Sequence, residues 1–304
     1  MKLRVLILGY GEMWHAMEYL LAARHDVRIW NMGTVVKGSH ATLDEEVAEA
    51  QVTLFCLPVN PHHEIAARIA PYLAKGSVCL TIAKGLDEAG RTAAQVFERV
   101  FGDLHHYGVV YGPMISEELR AGQHGFADAV LSDAADFGVI HSLFRGSALV
   151  CQQASDMHGR SWSVILKNVY AIIFGVADEL ELGDNMRGHL MVAAVAELSG
   201  IVQMFGGQAH TPYSYAGLGD LLTTATSKDS HHHELGRRLV LGDWSDISGE
   251  GVHTLRMVEK YRLFDWRAYP LFSLVRDIVS APENLGKRVE SYLEQLRETE
   301  SCSI

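Results

Sequence analysis

The feature that most restricts the fold of this chain is a regular alternation of strand-like and helix-like segments in its first half. Short apolar runs typical of buried strands occur at residues 3–8, 27–30, 52–57, 77–82 and 107–111. Helix-like patterns lie between them at 12–24, 65–73 and 92–100. Strands that alternate with helices predict a parallel sheet with right-handed crossovers. Because the runs are apolar nearly throughout, we expect the sheet to be covered on both faces.

The second half of the chain has a different character. We find no strand pattern after Cys151, and long helix-like stretches occupy 158–180, 185–205 and 252–262. The length of 304 residues is typical of two domains. We therefore predict an α/β protein with an N-terminal Rossmann-type parallel sheet domain at 1–152 and a C-terminal all-helical domain at 153–304.

Composition and charge exclude several functional classes. The chain is 48% hydrophobic and 21% charged, as expected for a globular protein in water. No apolar run approaches the roughly 18 residues of a membrane span, and we predict no signal peptide. The four cysteines form no CxxC pair, and the net charge is −11 without a basic run. These features predict a cytoplasmic protein with no metal site that does not bind nucleic acid.

A glycine-rich turn follows the first strand and opens the first helix. Gly9, Tyr10 and Gly11 have the context of a dinucleotide-binding fingerprint, in which the second glycine lets the backbone approach a pyrophosphate. The third fingerprint position is Trp14, not glycine or alanine, and a tight turn without a ligand is the alternative. The second strand ends without an acidic residue, and Lys37 is the nearest downstream cation. The choice between NAD and NADP therefore stays open.

Several polar residues interrupt the apolar second half. Lys167 and Asn168 lie within one helix-like stretch, and Asp220 follows a glycine-rich segment at 217–219. A buried lysine needs a partner or loses its charge. Hydride transfer at a carbon must be matched by proton transfer at its oxygen, which a lysine of lowered pKa can perform near neutral pH. Together with the glycine turn at 9–11, this pattern indicates a nicotinamide-dependent dehydrogenase, although Lys167 could instead snorkel from a helix and Asp220 could simply cap one.

The polar motifs also resemble a known family in their order and spacing. The matching segments are AKGL at 83–86, YGP at 111–113, LKNVYA at 166–171, LGDN at 182–185, GLGDL at 217–221, TATS at 224–227 and EGV at 250–252. Over most of its length the chain resembles bacterial-type NAD(P)-dependent glycerol-3-phosphate dehydrogenase, an oxidoreductase of glycerophospholipid metabolism. The resemblance implies a 6-phosphogluconate-dehydrogenase-like helical domain behind the Rossmann domain. It also implies that NAD or NADP carries the hydride between glycerol 3-phosphate and dihydroxyacetone phosphate.

The resemblance assigns roles to individual residues. Lys167 would be the general acid/base at the C2 oxygen, with Lys84 beside it, Asp220 supporting its charge and Thr224 touching the substrate. The residues expected at the cofactor are Gly9, Gly11, Glu12, Met13, Trp14, Pro58, Lys84 and Glu250. Those expected at the substrate are Lys84, Gly112, Asn168, His231 and His232. A homodimer is left open.

Three departures from the family pattern keep other functions open. Ser-His-His-His at 230–233 replaces a Ser-Arg-Asn-Arg segment, the loop at 31–42 is short, and no arginine follows Pro58 closely. Histidine cannot form the bidentate arginine fork, so we expect phosphate affinity to rise as His231 and His232 gain charge below about pH 6.5. The alternatives are a dehydrogenase for another small hydroxy or keto compound, and a non-catalytic paralogue that only binds the cofactor.

Overall fold

The computed structural model describes residues 2–9, 11–31, 34–35, 41–227 and 230–301. Tyr10 of the glycine turn, Lys37 and Cys302 lie outside the described residues, as does most of the short loop before Thr42. The strands are β1 (Arg4–Leu8), β2 (Asp26–Asn31), β3 (Thr34–Val35), β4 (Val52–Phe55), β5 (Val78–Thr81), β6 (His106–Tyr111), β7 (Gly125–Leu131) and β8 (Leu149–Gln153). They form one sheet in the order β3-β2-β1-β4-β5-β6-β7-β8.

The centre of this sheet is parallel, as the alternation of segments predicts. Strands β2, β1, β4, β5 and β6 pair in parallel, whereas β3 is antiparallel to β2 and β7 is antiparallel to β6. Strand β8 then pairs in parallel with β7. The sequence prediction missed β7 and β8, since Asp128 and the polar residues Gln152 and Gln153 interrupt their apolar pattern. The all-parallel expectation therefore applies only to the centre of the sheet.

Helices connect the strands and make up the rest of the chain. Those that precede β8 are α1 (Glu12–Leu21), α2 (Leu43–Glu49), α3 (His62–Ile69), α4 (Ala93–Phe101), α5 (Ser116–Arg120) and α6 (Phe137–Phe144). Both α2 and α4 begin with capping boxes, formed by Thr42 with Glu45 and by Thr92 with Gln95. In each box the two side chains satisfy backbone N–H groups that the first helical turn leaves unpaired.

The described residues of the C-terminal half after β8 form helices joined by turns and loops, without a strand. Its helices are α7 (Met157–Glu179), α8 (Gly183–Met204), α9 (Asp220–Thr226), α10 (His231–Val240), α11 (Glu250–Tyr261), α12 (Pro270–Ser280) and α13 (Leu285–Ser301). Within the described part of the chain, no helix combines the length and apolarity needed to cross a membrane. The prediction of an all-helical second half is confirmed.

Helix α7 is the central element of this half and is buried along most of its length. Helix α10 crosses it so closely that a Cβ on Gly175 or Gly236 would collide with the backbone of the other helix. The same apolar core contains Val109 and Val130 of the sheet, so the helices pack directly on the strands. This packing brings the middle of α7 and the first turn of α10 to one edge of the sheet.

Candidate active site

A cavity of about 470 Å³ lies where the parallel strands end and the helical half begins. Residues that directly follow β1, β4, β5 and β6 line one side, and residues of α7, α9, α10 and α11 line the other. The lining consists of Gly11, Glu12, Met13, Cys56, Leu57, Pro58, Ile82, Ala83, Lys84, Met114, Ile115, Lys167, Asn168, Asp220, Thr223, Thr224, Ser227, Ser230, His231, His232 and Glu250. Ligands of open parallel sheets bind at this edge, beside the point where the strand order reverses.

The two glycines of the first turn have different functions. Gly9 adopts a φ of +127°, and a Cβ there would collide with the carbonyl of Cys56 at the end of β4. Its N–H donates to the carbonyl of Trp30 at 2.9 Å, so this amide is used within the fold. Gly11 precedes α1 and lines the cavity, and a Cβ there would meet nothing within 4 Å. Gly9 therefore shapes the turn, while Gly11 leaves room for a ligand at the start of α1.

Three residues expected at the ligands do not line the cavity. Gly9 shapes the turn, and its N–H is bonded to Trp30. Trp14 is only 5% exposed and packs into the apolar core on one face of the sheet. Gly112 contributes indirectly, since its carbonyl accepts a hydrogen bond of 3.0 Å from Lys84. For Gly9, Trp14 and Gly112 the expected ligand contact therefore stays a prediction that the cavity lining does not support, since their side-chain positions face backbone or core.

The four residues predicted to carry the chemistry form one cluster, in which two lysines contact the carboxylate of Asp220. Lys84 Nζ lies 2.7 Å from Oδ2 of Asp220, and Lys167 Nζ lies 3.3 Å from Oδ1 of the same group. Lys167 also donates to the hydroxyl of Thr224 at 2.5 Å. That hydroxyl in turn donates to the backbone carbonyl of Asp220 at 2.7 Å. Lys167, Asp220 and Thr224 are each less than 10% exposed, so the cluster is largely shielded from water.

Burial and a second cation lower the basicity of Lys167. Its pKa falls from 10.5 to about 8, mainly because burial penalises the charged ammonium. The carboxylate of Asp220 opposes this shift, and the nearby charge of Lys84 adds to it. With a pKa near 8, this lysine can both donate and accept a proton near neutral pH.

Local backbone geometry explains how Asp220 reaches the two lysines. A π-helical turn at Tyr215–Gly219 leads directly into α9, of which Asp220 is the first residue. At Gly217 any Cβ would collide with the carbonyl of Pro212, so this turn requires glycine. Single-turn π-segments recur at functional sites in proteins. The glycine-rich motif thus aims one carboxylate between α7 and the end of β5.

The histidine segment lies at the opposite wall, at the beginning of α10. His231 and His232 line the cavity, and the Ser230 hydroxyl accepts from the N–H of His233 as a helix cap. Burial lowers the pKa of His232 to about 3, and the charges of Lys167 and His231 shift it in the same direction. This direction opposes the gain of charge expected for His232 near pH 6.5, which stays a prediction. His233 points away, with Nε2 2.7 Å from Asp178.

The remaining predicted residues also line the cavity. Asn168 is next to Lys167 on α7, Pro58 follows β4, and Glu12 and Met13 open α1. Glu250 begins α11 against Gly85, and burial raises the pKa of its carboxyl group. Sequence reasoning missed the other lining residues, although many directly follow a strand or lie one helical turn from a predicted residue. Those missed are Cys56, Leu57, Ile82, Ala83, Met114, Ile115, Thr223, Ser227 and Ser230.

Comparison with known proteins decides the family. A model of the NAD-dependent glycerol-3-phosphate dehydrogenase C-terminus matches residues 156–290, and the model of the corresponding N-terminus matches 33–134. The chain belongs to this dehydrogenase family. The resemblance predicted from the motifs at 83–86, 166–171 and 217–221 is confirmed.

Individual relatives match over most of their length. A protein of Gloeobacter violaceus named glycerol-3-phosphate dehydrogenase [NAD(P)+] is 30% identical, with 85% of this chain and 86% of the relative aligned. One of the same name from Acaryochloris marina is 27% identical over 99% of this chain and 98% of the relative. The crystal structure of the Coxiella burnetii glycerol-3-phosphate dehydrogenase superposes with a TM-score of 0.81 at 23% identity, covering 96% and 99% of the two chains. This superposition confirms the predicted fold class.

Proposed function

We propose that this chain is an NAD(P)-dependent oxidoreductase that interconverts glycerol 3-phosphate and dihydroxyacetone phosphate. Relatives of that name align over most of the chain. The observation that carries the proposal is the buried cluster in the cavity, where Lys167 lies between Asp220 and Thr224 with its pKa lowered to about 8. A proton donor of this kind is what reduction of a ketone requires.

The nicotinamide cofactor is expected along the strand ends. Gly11 leaves open space at the start of α1, where the helix N-terminus attracts a pyrophosphate. Leu57, Pro58 and Ile82 form an apolar wall next to this position. The cofactor supplies the hydride in one direction and accepts it in the other. With the cofactor bound, Leu57, Pro58 and Ile82 would keep water away from the hydride transfer.

Proton transfer is assigned to Lys167. In ketone reduction its ammonium group donates a proton to the C2 oxygen, and in alcohol oxidation its neutral amine removes that proton. Asp220 stabilises the ammonium form through the 3.3 Å contact. Lys84 lies on the other oxygen of the same carboxylate and is positioned to offset negative charge that develops on the C2 oxygen.

The phosphate group is assigned to the start of α10. Ser230 and His231 line this wall with the first turn of the helix, whose unpaired N–H groups favour an anion. His232 is neutral there and can donate one hydrogen bond. Among the lining residues that the structure describes there is no arginine. This favours a second candidate function, in which the substrate is a small hydroxy or keto compound without a phosphate.

Larger-scale properties remain proposals. We propose that the chain divides near residue 152 into a cofactor-binding Rossmann domain and a helical substrate domain. The last strand ends at Gln153 and α7 begins at Met157, which supports this division. A cytoplasmic location and a homodimer remain predictions from sequence, and the choice between NAD and NADP is open.

The test is to follow the absorbance of the reduced nicotinamide with purified protein, using NADH and NADPH in parallel. The matched substrates are dihydroxyacetone phosphate and dihydroxyacetone, which differ only in the phosphate. We expect kcat/KM to be at least about a hundredfold higher for the phosphorylated ketone, the scale of a lost charged contact. Equal or preferred turnover of unphosphorylated ketones would support the second candidate function. Cofactor binding without turnover of any ketone would support the non-catalytic alternative.

A further inference from the structure

We propose that His62 is a positioning residue. It holds the apolar wall at Pro58, which is proposed to contact the cofactor, at a fixed distance from the segment that leads to Lys84. It acts from outside the cavity, through hydrogen bonds to the chain that follows β4 and β5. The inference rests on the proposed function, because it assigns these two segments to the cofactor and to the proton-transfer cluster.

His62 bridges two segments that have just left the sheet. Its side chain is completely buried at the start of α3. Nδ1 lies 2.9 Å from the carbonyl of Pro58, and Nε2 lies 2.9 Å from the hydroxyl of Thr81. The same hydroxyl accepts a hydrogen bond of 3.0 Å from the N–H of Ala83. The bridge therefore runs from Pro58 through the imidazole ring to the residue directly before Lys84.

The carbonyl of Pro58, at one end of this bridge, determines the direction of each hydrogen bond in it. A carbonyl can only accept, so Nδ1 must carry the hydrogen that is donated to Pro58. Nε2 is then the acceptor for the hydroxyl of Thr81, which keeps a lone pair for the N–H of Ala83. The ring also packs against Phe55 and Phe97, with centroids 5.0 and 5.6 Å away. Burial keeps it neutral, lowering the pKa of His62 to about 4.

The bridge lies where the sheet itself no longer joins these segments firmly. The last rung between β4 and β5 is the hydrogen bond from the N–H of Ile82 to the carbonyl of Phe55, which is 3.4 Å long. Beyond this hydrogen bond, the segments that follow β4 and β5 separate and form adjacent parts of the cavity wall. Pro58 contributes to one part, while Lys84 contributes to the other and contacts Asp220. Without the imidazole, the spacing of these two segments would be held less tightly.

Two conservative variants separate the two halves of the bridge. The amide nitrogen of asparagine is as many bonds from Cβ as Nδ1, so His62→Asn can keep the bond to Pro58 but loses Thr81. The amide of glutamine extends as far as Nε2, so His62→Gln can keep the bond to Thr81 but loses Pro58. His62→Phe fills the space and loses both bonds. His63→Asn is the matched control, since His63 is exposed on the same helix.

The steady-state assay should separate these variants. We expect His62→Asn to lower kcat by about tenfold with KM for the cofactor near wild type, and His62→Gln to raise that KM by about tenfold with kcat retained, the scale of one hydrogen bond. His62→Phe should show both effects. A residue that only supports the core would lower the melting temperature without this division. Equal effects of Asn and Gln on both constants, or no effect, would overturn the proposal.

A second measurement does not depend on catalysis. Amide hydrogen exchange of the free protein should accelerate at 82–84 in His62→Asn and at 56–57, directly before Pro58, in His62→Gln, with neither change in His63→Asn. Exchange that is unchanged, or accelerated equally at both segments, would contradict the bridge. If wild-type protein binds no NADH and reduces no dihydroxyacetone phosphate, the proposed function fails, whereas the exchange pattern still decides the role of His62.

Discussion

The ammonium of Lys167 lies 3.3 Å from Oδ1 of Asp220, and both side chains are almost fully buried. Because Lys84 occupies the other oxygen of that carboxylate at 2.7 Å, two cations share one anion. Two ammonium groups beside one carboxylate leave an excess of positive charge where water is largely excluded. This excess is removed when one lysine releases its proton. Burial is the main reason that the pKa of Lys167 falls to about 8, and the charge of Lys84 lowers this pKa further.

Substitutions of the two charged neighbours of Lys167 should shift the pKa of this lysine in opposite directions. Asp220→Asn removes a charge that raises this pKa, so the pH midpoint of kcat should fall below that of the wild type. Lys84→Met removes a charge that lowers it, so the midpoint should rise. The pH dependence of kcat, measured for both variants across the same range, checks this. Shifts in the same direction would show that the charges do not act on the titrating group.

The two glycines of the first turn should respond differently to alanine. Gly9→Ala places a Cβ against the Cys56 carbonyl at a φ of +127° and should reduce the free energy of unfolding by about 3 kcal/mol. Gly11→Ala meets no atom within 4 Å and should fold normally. It should nevertheless weaken NADH binding, since the methyl group enters the space left for the pyrophosphate. Thermal denaturation and NADH titration of both variants check this, and normal NADH affinity in Gly11→Ala would contradict the cofactor position.

His232 should not make substrate binding pH-dependent. Its pKa of about 3 keeps the ring neutral from about pH 5.5 to about pH 8 in the free protein. We therefore expect His232→Gln, which keeps a hydrogen-bond donor, to leave the pH trend of KM for dihydroxyacetone phosphate unchanged. The measurement is KM across that range in wild type and variant. A trend in wild type that disappears in His232→Gln would show that His232 gains its charge when the phosphate binds.

His62 should make the protein sensitive to mild acid. Its folded-state pKa of about 4 lies below the value of about 6.5 for an unfolded chain. The contribution of the neutral imidazole to the free energy of unfolding is therefore fully present above about pH 6.5 and is lost as pH falls to about 4. The free energy of unfolding changes by up to about 3 kcal/mol over this range. The nearby carboxyl group of Asp87 opposes the shift but does not reverse it. Urea denaturation at several pH values should show a shallower loss in His62→Phe than in His63→Phe, and identical slopes would refute the assignment.

Much of the fold could be predicted from sequence because its signals are local. The apolar runs before Gly9, Pro58 and Lys84 predicted three neighbouring parallel strands, and the capping residue Thr92 begins a predicted helix. Strand β7 was missed, since the carboxylate of Asp128 breaks its apolar pattern. That carboxylate is buried in the structure, where it accepts from Ala216 and Gln152. Its partners come from distant parts of the chain, so the local pattern does not reveal them.

The site shows the same division. Lys84, Lys167, Asp220 and Thr224 were predicted as a group from motifs, and the structure places them in one cluster. The orientation of Trp14 could not be predicted, because packing against the sheet decides which way the first helix turns. The bridge formed by His62 was missed for a related reason. The sequence around a histidine at the start of a helix does not indicate which two segments after the strands the side chain will contact.

The most direct test of the central claim is the pH dependence of kcat in both directions of the reaction, for wild type and Lys167→Met, with Lys75→Met as an exposed lysine control. The reduction needs the ammonium form of Lys167, so kcat should fall as pH rises through the pKa that this lysine has in the enzyme–substrate complex, whereas kcat of the oxidation should rise there. Lys167→Met should lower kcat by roughly two to four orders of magnitude and abolish both pH transitions. A Lys167→Met protein that keeps wild-type kcat or the wild-type pH transitions of kcat would contradict the assignment of Lys167 as the general acid/base.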